Sequence, residues 1–236
     1  MIRRNARLGA VSGVIVAAFC CLVWFGFELG TERSANPSIW IEANAPIGAT
    51  NLVSTIYLGA RLFDTVLEVL VFAVAVLGVR HYLEEKARQV STVETLPESH
   101  VIRVSAHLLL PLITLLGIYV TVFGHLSPGG GFSGGVIVAS GVLLVAIALG
   151  PHAIGQRIPP ERLEWFEWIA LLMILAIVLI PAVAGDPPLS GILPPGRFGR
   201  LYSGGDLLPL NLLIGAKVFI GSWGIIHHFL QHRGEI

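Results

Sequence analysis

The sequence predicts an all-α, polytopic membrane protein with about six transmembrane helices and both termini in the cytoplasm. Three observations carry this expectation. The 236 residues are 54% hydrophobic and 13% charged, roughly half the charge of a soluble domain. The apolar residues gather into six runs, at 9–30, 53–79, 101–124, 132–150, 165–184 and 207–230, each able to cross a hydrocarbon core of about 30 Å. The basic residues are also unevenly placed. With a cytoplasmic N-terminus, Arg3, Arg4, Arg7, Arg80, Lys86, Arg88, Arg103, Arg157, Arg162 and Arg233 are inside. Only Arg33, Arg197 and Arg200 are outside. Ten against three is the asymmetry of the positive-inside rule.

The elements follow in order. The first run, after MIRRNARLG, resembles a signal sequence but is long and lacks a small-x-small cleavage site, so it reads as a retained helix. Its Cys20 and Cys21 are adjacent, which suits neither a disulfide nor a metal site. Residues 31–52 read as an external loop. Residues 81–100, HYLEEKARQVSTVETLPESH, are the most polar segment and read as a cytoplasmic linker. That linker divides the chain into a two-helix module, 1–90, and a four-helix domain, 91–236. Pro111 is a candidate kink in the third span. Trp165 and Trp168 mark the inner edge of the fifth, as belt aromatics do. Residues 185–206 form a Pro- and Gly-rich external loop, and Asp206 is placed to cap the last helix.

The second span carries the candidate site. Arg61, Asp64 and Glu68 are spaced i, i+3, i+7 and share one side of a helix. Each such charge costs about 3 kcal/mol at a helix centre in hydrocarbon, so a stripe of them marks function by default. Lys217, in the sixth span, is expected at the depth of Glu68. Two readings of these residues stay open. In one, Arg61 pairs with Asp64 and Lys217 with Glu68, and the pairs hold helices together. In the other, a carboxyl caught between desolvation and a nearby cation exchanges a proton or cation. His107, in the inner part of the third span, extends such a path inward.

Pro128, Gly129, Gly130, Gly131, Gly134 and Gly135 form a turn and a helix start. By letter, Gly129, Gly131 and Gly134 match G-x-G-x-x-G, but a membrane span precedes them where a nucleotide fold needs a strand. The expected role is a tight turn, then close approach of a neighbouring helix at Gly134, Gly135 and Ala139. His227 and His228 do not match His107 in depth, as a haem would require. No resident cofactor or metal is expected in this chain.

Two stretches carry a family resemblance. The first contains Gly117 and Tyr119, then GHLSPGGGFSGG at 124–135, then Ala139, and later Gly215-Ala216-Lys217-Val218. It resembles the B subunit (MnhB/MrpB) of multisubunit Na⁺/H⁺ antiporters and covers about 100–236. The second contains Arg61, Phe63-Asp64-Thr65 and Glu68. It resembles the two-helix module at the C-terminal end of the antiporter A subunit, which is a separate subunit in membrane-bound hydrogenase-type complexes. Gly59 and Leu62 stand where that module carries an acidic residue and a glycine. The resemblance implies a fusion of the two pieces and a non-catalytic subunit of the prokaryotic inner membrane. It implies other membrane subunits as partners, and transported Na⁺ or H⁺ rather than a cofactor. A membrane-arm subunit of an ion-pumping redox complex and a purely structural subunit are the alternatives.

Overall fold

A computed structural model describes residues 38–86, 100–185 and 191–231, with residues 13, 16, 17 and 20. Most of the expected span 9–30 and most of the linker 81–100 lie outside the described residues. What is described is helical, and among these residues the only β-type pairing is an isolated bridge between Gly196 and Ser203. In chain order the helices are α1 (Ser38–Ile47), α2 (Leu52–Thr55), a π segment (Ile56–Ala60), α3 (Leu62–Lys86) and α4 (His100–Val122). Then come α5 (Gly131–Leu149), α6 (Pro151–Arg157), α7 (Pro160–Ala184) and α8 (Leu207–Gln231). Five of them, α3, α4, α5, α7 and α8, are long and apolar enough to cross a membrane.

Two boundaries differ from expectation. The external loop at 31–52 contains the ten-residue helix α1. The second span is not one helix from 53 to 79: a π segment interrupts its N-terminal end, and α3 then continues to Lys86. At the interruption, Arg61 N–H donates to Ile56 O, five residues back, at 2.7 Å. Such single-turn insertions recur at functional sites, because the extra residue reorients the side chains around it. α4 runs through Pro111.

In lipid no hydrophobic force pulls helices together, so close packing at small residues must hold the bundle. α5 shows how. Gly131, Gly134 and Gly135 are buried. A Cβ at Gly134 would strike Thr121 Oγ1 and stand 2.7 Å from Gly117 O on α4. A Cβ at Gly135 would stand 2.6 Å from Gly215 O on α8. α5 thus lies between α4 and α8, which in turn packs on α7 and α3. Val66, Leu70, Leu171, Ile174, Leu210 and Ile214 form the core where α3, α7 and α8 meet. α4 instead turns an apolar face away from the bundle, with Leu108, Leu112, Leu115 and Ile118 exposed.

The turn between α4 and α5 is tied to the start of the second span. Asn51 Nδ2 donates to Gly124 O and Ser127 O, at 2.7 and 2.8 Å. Ser54 Oγ donates to Gly124 O at 2.5 Å. Gly130 has φ +156°, a conformation for which a side chain is poorly suited, and a Cβ there would meet the Tyr57 hydroxyl.

Candidate functional site

The structure separates the predicted site residues into an open cleft and a buried charge network. The cleft, of about 320 Å³, is lined by the π segment and the start of α3 on one side. The glycine turn with Phe132 and Ser133 lines the other, and Asn211 and Ile214 of α8 complete it. Arg61, Asp64 and Glu68 all reach it. Arg61 Nε donates to Asp64 Oδ2 at 2.6 Å, and a second guanidinium nitrogen contacts the same oxygen. The pair is exposed, at 61% and 44% of the two side chains. Glu68 is exposed too, and has no ion-pair partner among the described residues.

Backbone and side-chain polarity continues across the cleft. Asn211 is fully buried, and its Oδ1 accepts from Gly131 N–H at 2.8 Å. The Tyr57 hydroxyl stands 3.3 Å from both Asn211 Oδ1 and Gly129 O. Thr65 Oγ1 donates to Tyr57 O in the π segment at 2.5 Å. Gly129, Gly130 and Gly131 therefore line the cleft, while Gly134 and Gly135 serve helix packing behind it. Pro128 is exposed at the turn.

Lys217 has a different partner from the one expected. Its Nζ donates to Glu167 Oε1 of α7 at 2.5 Å, not to Glu68. Glu167 Oε2 accepts from Arg80 Nη2 of α3 at 2.8 Å. Lys217, Glu167 and Arg80 are 0%, 1% and 7% exposed. One buried carboxylate thus serves two cations, and the nearest further acid is the half-exposed Glu164, 3.9 Å from Arg80 Nη1. α8 presents Gly221 and Gly224 to this network, and a Cβ at Gly221 would stand 3.1 Å from Glu167 Oε1. One at Gly224 would stand 2.8 Å from Arg80 Nε. Those two gaps let the Glu167 and Arg80 side chains lie against α8 beside Lys217.

Glu167 and Arg80 did not stand out in the sequence. Glu167 sits between Trp165 and Trp168, which look interfacial, and Arg80 looks like a cytoplasmic anchor. The available signal was that Glu167 falls within the apolar stretch Arg162–Pro181. His107 is exposed on α4 and is not brought to either cluster. Asp206 does precede α8, and its backbone oxygen accepts from Leu210 N–H. Its carboxylate is used on the preceding loop instead, accepting from Ile192 N–H at 2.6 Å and Leu193 N–H at 3.0 Å. Among the described residues no cluster of His, Cys, Asp and Glu could hold a metal ion.

Outside the spans, the turn holds one further titratable group. His125 is fully buried, and its Nε2 lies 2.8 Å from Leu201 O. Burial pushes its pKa below the usual 6.5, against an opposite pull from the carbonyls of Leu201, Val122 and Arg200.

Residues 101–224 match a domain related to the MnhB subunit of Na⁺/H⁺ antiporters. Over 95 residues the chain is 32% identical to a putative antiporter subunit mnhB2 of Staphylococcus aureus (strain Newman), and equally to that of strain USA300. The alignment takes in 38% of this chain and 63% of those relatives, so the chain spans less than two thirds of their length. One solved structure is an archaeal respiratory complex, the membrane-bound sulfane sulfur reductase. A chain of it is 28% identical, with TM-score 0.71, and the match covers 99% of this chain and 100% of that one. A chain of the Mrp complex from Dietzia sp. DQ12-45-1b has the same fold, with TM-score 0.66 and 22% identity. There the match covers 99% of this chain but only 27% of the other.

Proposed function

The chain belongs to the family of domains related to the MnhB subunit of Na⁺/H⁺ antiporters, and on that premise we propose that it is a non-catalytic subunit of a multisubunit cation- and proton-translocating complex. It sits in a prokaryotic cell membrane with both termini inside, beside other membrane subunits, and contributes charged residues to the ion path. The carrying observation is that one helix, α3, carries both an open, charged cleft at Glu68 and, twelve residues further along at Arg80, a buried three-charge network. Glu68 is the exposed carboxylate through which a proton or a hydrated cation enters from the cleft. Arg61 and Asp64 neutralise each other beside it. Lys217, Glu167 and Arg80 form the inner relay. An unpaired intramembrane carboxylate is costly, and such groups mark ion and proton pathways.

The two-module organisation, 1–90 and 91–236, is part of the same proposal. The full-length likeness to a chain of the Dietzia Mrp complex, over about a quarter of that longer chain, supports a joined module. A second reading has its own support. The chain from the sulfane sulfur reductase matches end to end, which favours the membrane arm of a redox-driven complex. Subunits that co-purify after mild extraction separate the two: metal-bearing redox subunits mean the second. The ion-path role is tested with Glu68→Gln in the reconstituted complex. The variant keeps shape but cannot titrate, and Glu68 is exposed, so assembly is retained while ion translocation falls sharply. Wild-type transport by this variant would overturn the role.

A further inference from the structure

The outer cleft and the inner charges are not in contact. What lies between them is a pair of aromatic rings. Phe132, at the start of α5, lines the cleft. Its ring meets that of Phe72 edge to face, with centroids 6.2 Å apart and planes at 75°. Phe72 lies behind it, and the Lys217 ammonium sits over the Phe72 ring, 5.2 Å from the centroid. A Cβ on Gly221 would stand 2.7 Å from Phe72 Cε1 and 3.1 Å from Glu167 Oε1. Phe72 therefore touches the same patch of α8 as the buried carboxylate. Glu68 and Phe72 are four residues apart on one face of α3, about 6 Å along the axis.

We infer that Phe72 and Phe132 form an apolar gate between the cleft and the Lys217–Glu167–Arg80 network. The inference rests on the ion-path reading above. Two rings in edge-to-face contact leave no polar atom for water to hydrogen-bond, and apolar constrictions block ions and protons by staying dry. The ammonium over Phe72 adds a cation–π contact that holds the ring closed against the inner site. Transfer between Glu68 and Lys217 then requires the rings to part. Gly221 is part of the device, because only a residue without a side chain leaves the Phe72 ring room against α8. Phe132, half-buried at the cleft wall, is the ring with space to swing.

The test uses the whole complex in proteoliposomes, with passive proton leak measured without a driving cation gradient or redox substrate. Phe132→Ala removes one leaf of the gate, and leak is expected to rise on the order of tenfold. Phe132→Leu restores an apolar plug and is expected to leak like the wild type. Adding Lys217→Met to Phe132→Ala should abolish the extra leak, because the path then lacks its inner carrier. If Phe132→Ala does not assemble, Phe132→Val is the smaller truncation and should leak in the same direction. An assembled truncation with no extra leak overturns the gate, and so does a leak that Lys217→Met leaves unchanged. Glu68→Gln is measured in parallel. If it blocks transport while Phe132→Ala does not leak, the gate falls and the ion path stands. If it transports normally, the ion path itself falls.

Discussion

Neutralising Glu167 should destabilise the protein far more than neutralising Lys217, although each removes one charge from the same contact. Glu167 is the shared partner of Arg80 and Lys217, at 2.8 and 2.5 Å. Glu167→Gln leaves two cations together, 7% and 0% exposed, with only the half-exposed Glu164 nearby. Removing one side of a buried ion pair typically costs about 3–5 kcal/mol, because the other charge stays buried and uncompensated. Lys217→Met keeps the alkyl stem and leaves Arg80 and Glu167 as a balanced pair. Its cost is that of one lost hydrogen bond and the cation–π contact, about 1–3 kcal/mol. The double variant, Glu167→Gln with Lys217→Met, leaves only Arg80 unmatched and should be more stable than Glu167→Gln alone. Equilibrium unfolding of the purified complex in detergent, followed through this subunit, reads all three. At 1.4 kcal/mol per tenfold, Glu167→Gln shifts the equilibrium on the order of a hundred- to several-thousand-fold. If Lys217→Met is as damaging as Glu167→Gln, the shared carboxylate is not what balances this network. Additivity in the double variant would refute the coupling as well.

Gly134→Ala should cost about 1–3 kcal/mol by overpacking, since the new methyl strikes Thr121 Oγ1 between α4 and α5; loss of assembled complex on native gels reports it. The Thr121→Ser exchange leaves that oxygen in place and should not rescue it, whereas Thr121→Ala should in part. Arg61→Ala should harm the complex more than Arg61→Ala with Asp64→Ala, by about 0.5–1 kcal/mol for so exposed a pair; an additive cycle would remove the pairing. His125 binds fewer protons folded than unfolded, because burial lowers its folded pKa below 6.5. Stability should therefore fall as pH drops below about 6.5, at up to about 1.4 kcal/mol per unit, until the folded pKa is passed. His125→Gln should flatten this part of the stability profile between pH 7.5 and 5, and an unchanged slope would assign it to another group.

The sequence alone was enough for the all-α membrane architecture and for the last four spans, because bilayer spanning depends on local composition. A run of apolar residues crosses the membrane whatever its neighbours do. The Arg61–Asp64 pair was legible for the same reason: both residues sit on one helix, three apart, and helix geometry brings them together. The glycines at 129–135 were legible as a turn and a packing face, since small residues at helical spacing permit close helix approach. The partner of Lys217 was not legible. Glu68 and Glu167 both lie within apolar spans, and choosing between them depends on how α8 is rotated against α3 and α7. That rotation follows from the contacts of Gly131 and Gly135 with Asn211 and Gly215, and from the space left by Gly221 and Gly224. Nor was the depth of Arg80 legible, because the π segment and the extension of α3 to Lys86 moved the helix boundaries. Helix–helix pairing is a property of surfaces far apart in the chain. Only the tertiary structure therefore decided which charges are buried together, which one stands open, and which rings lie between.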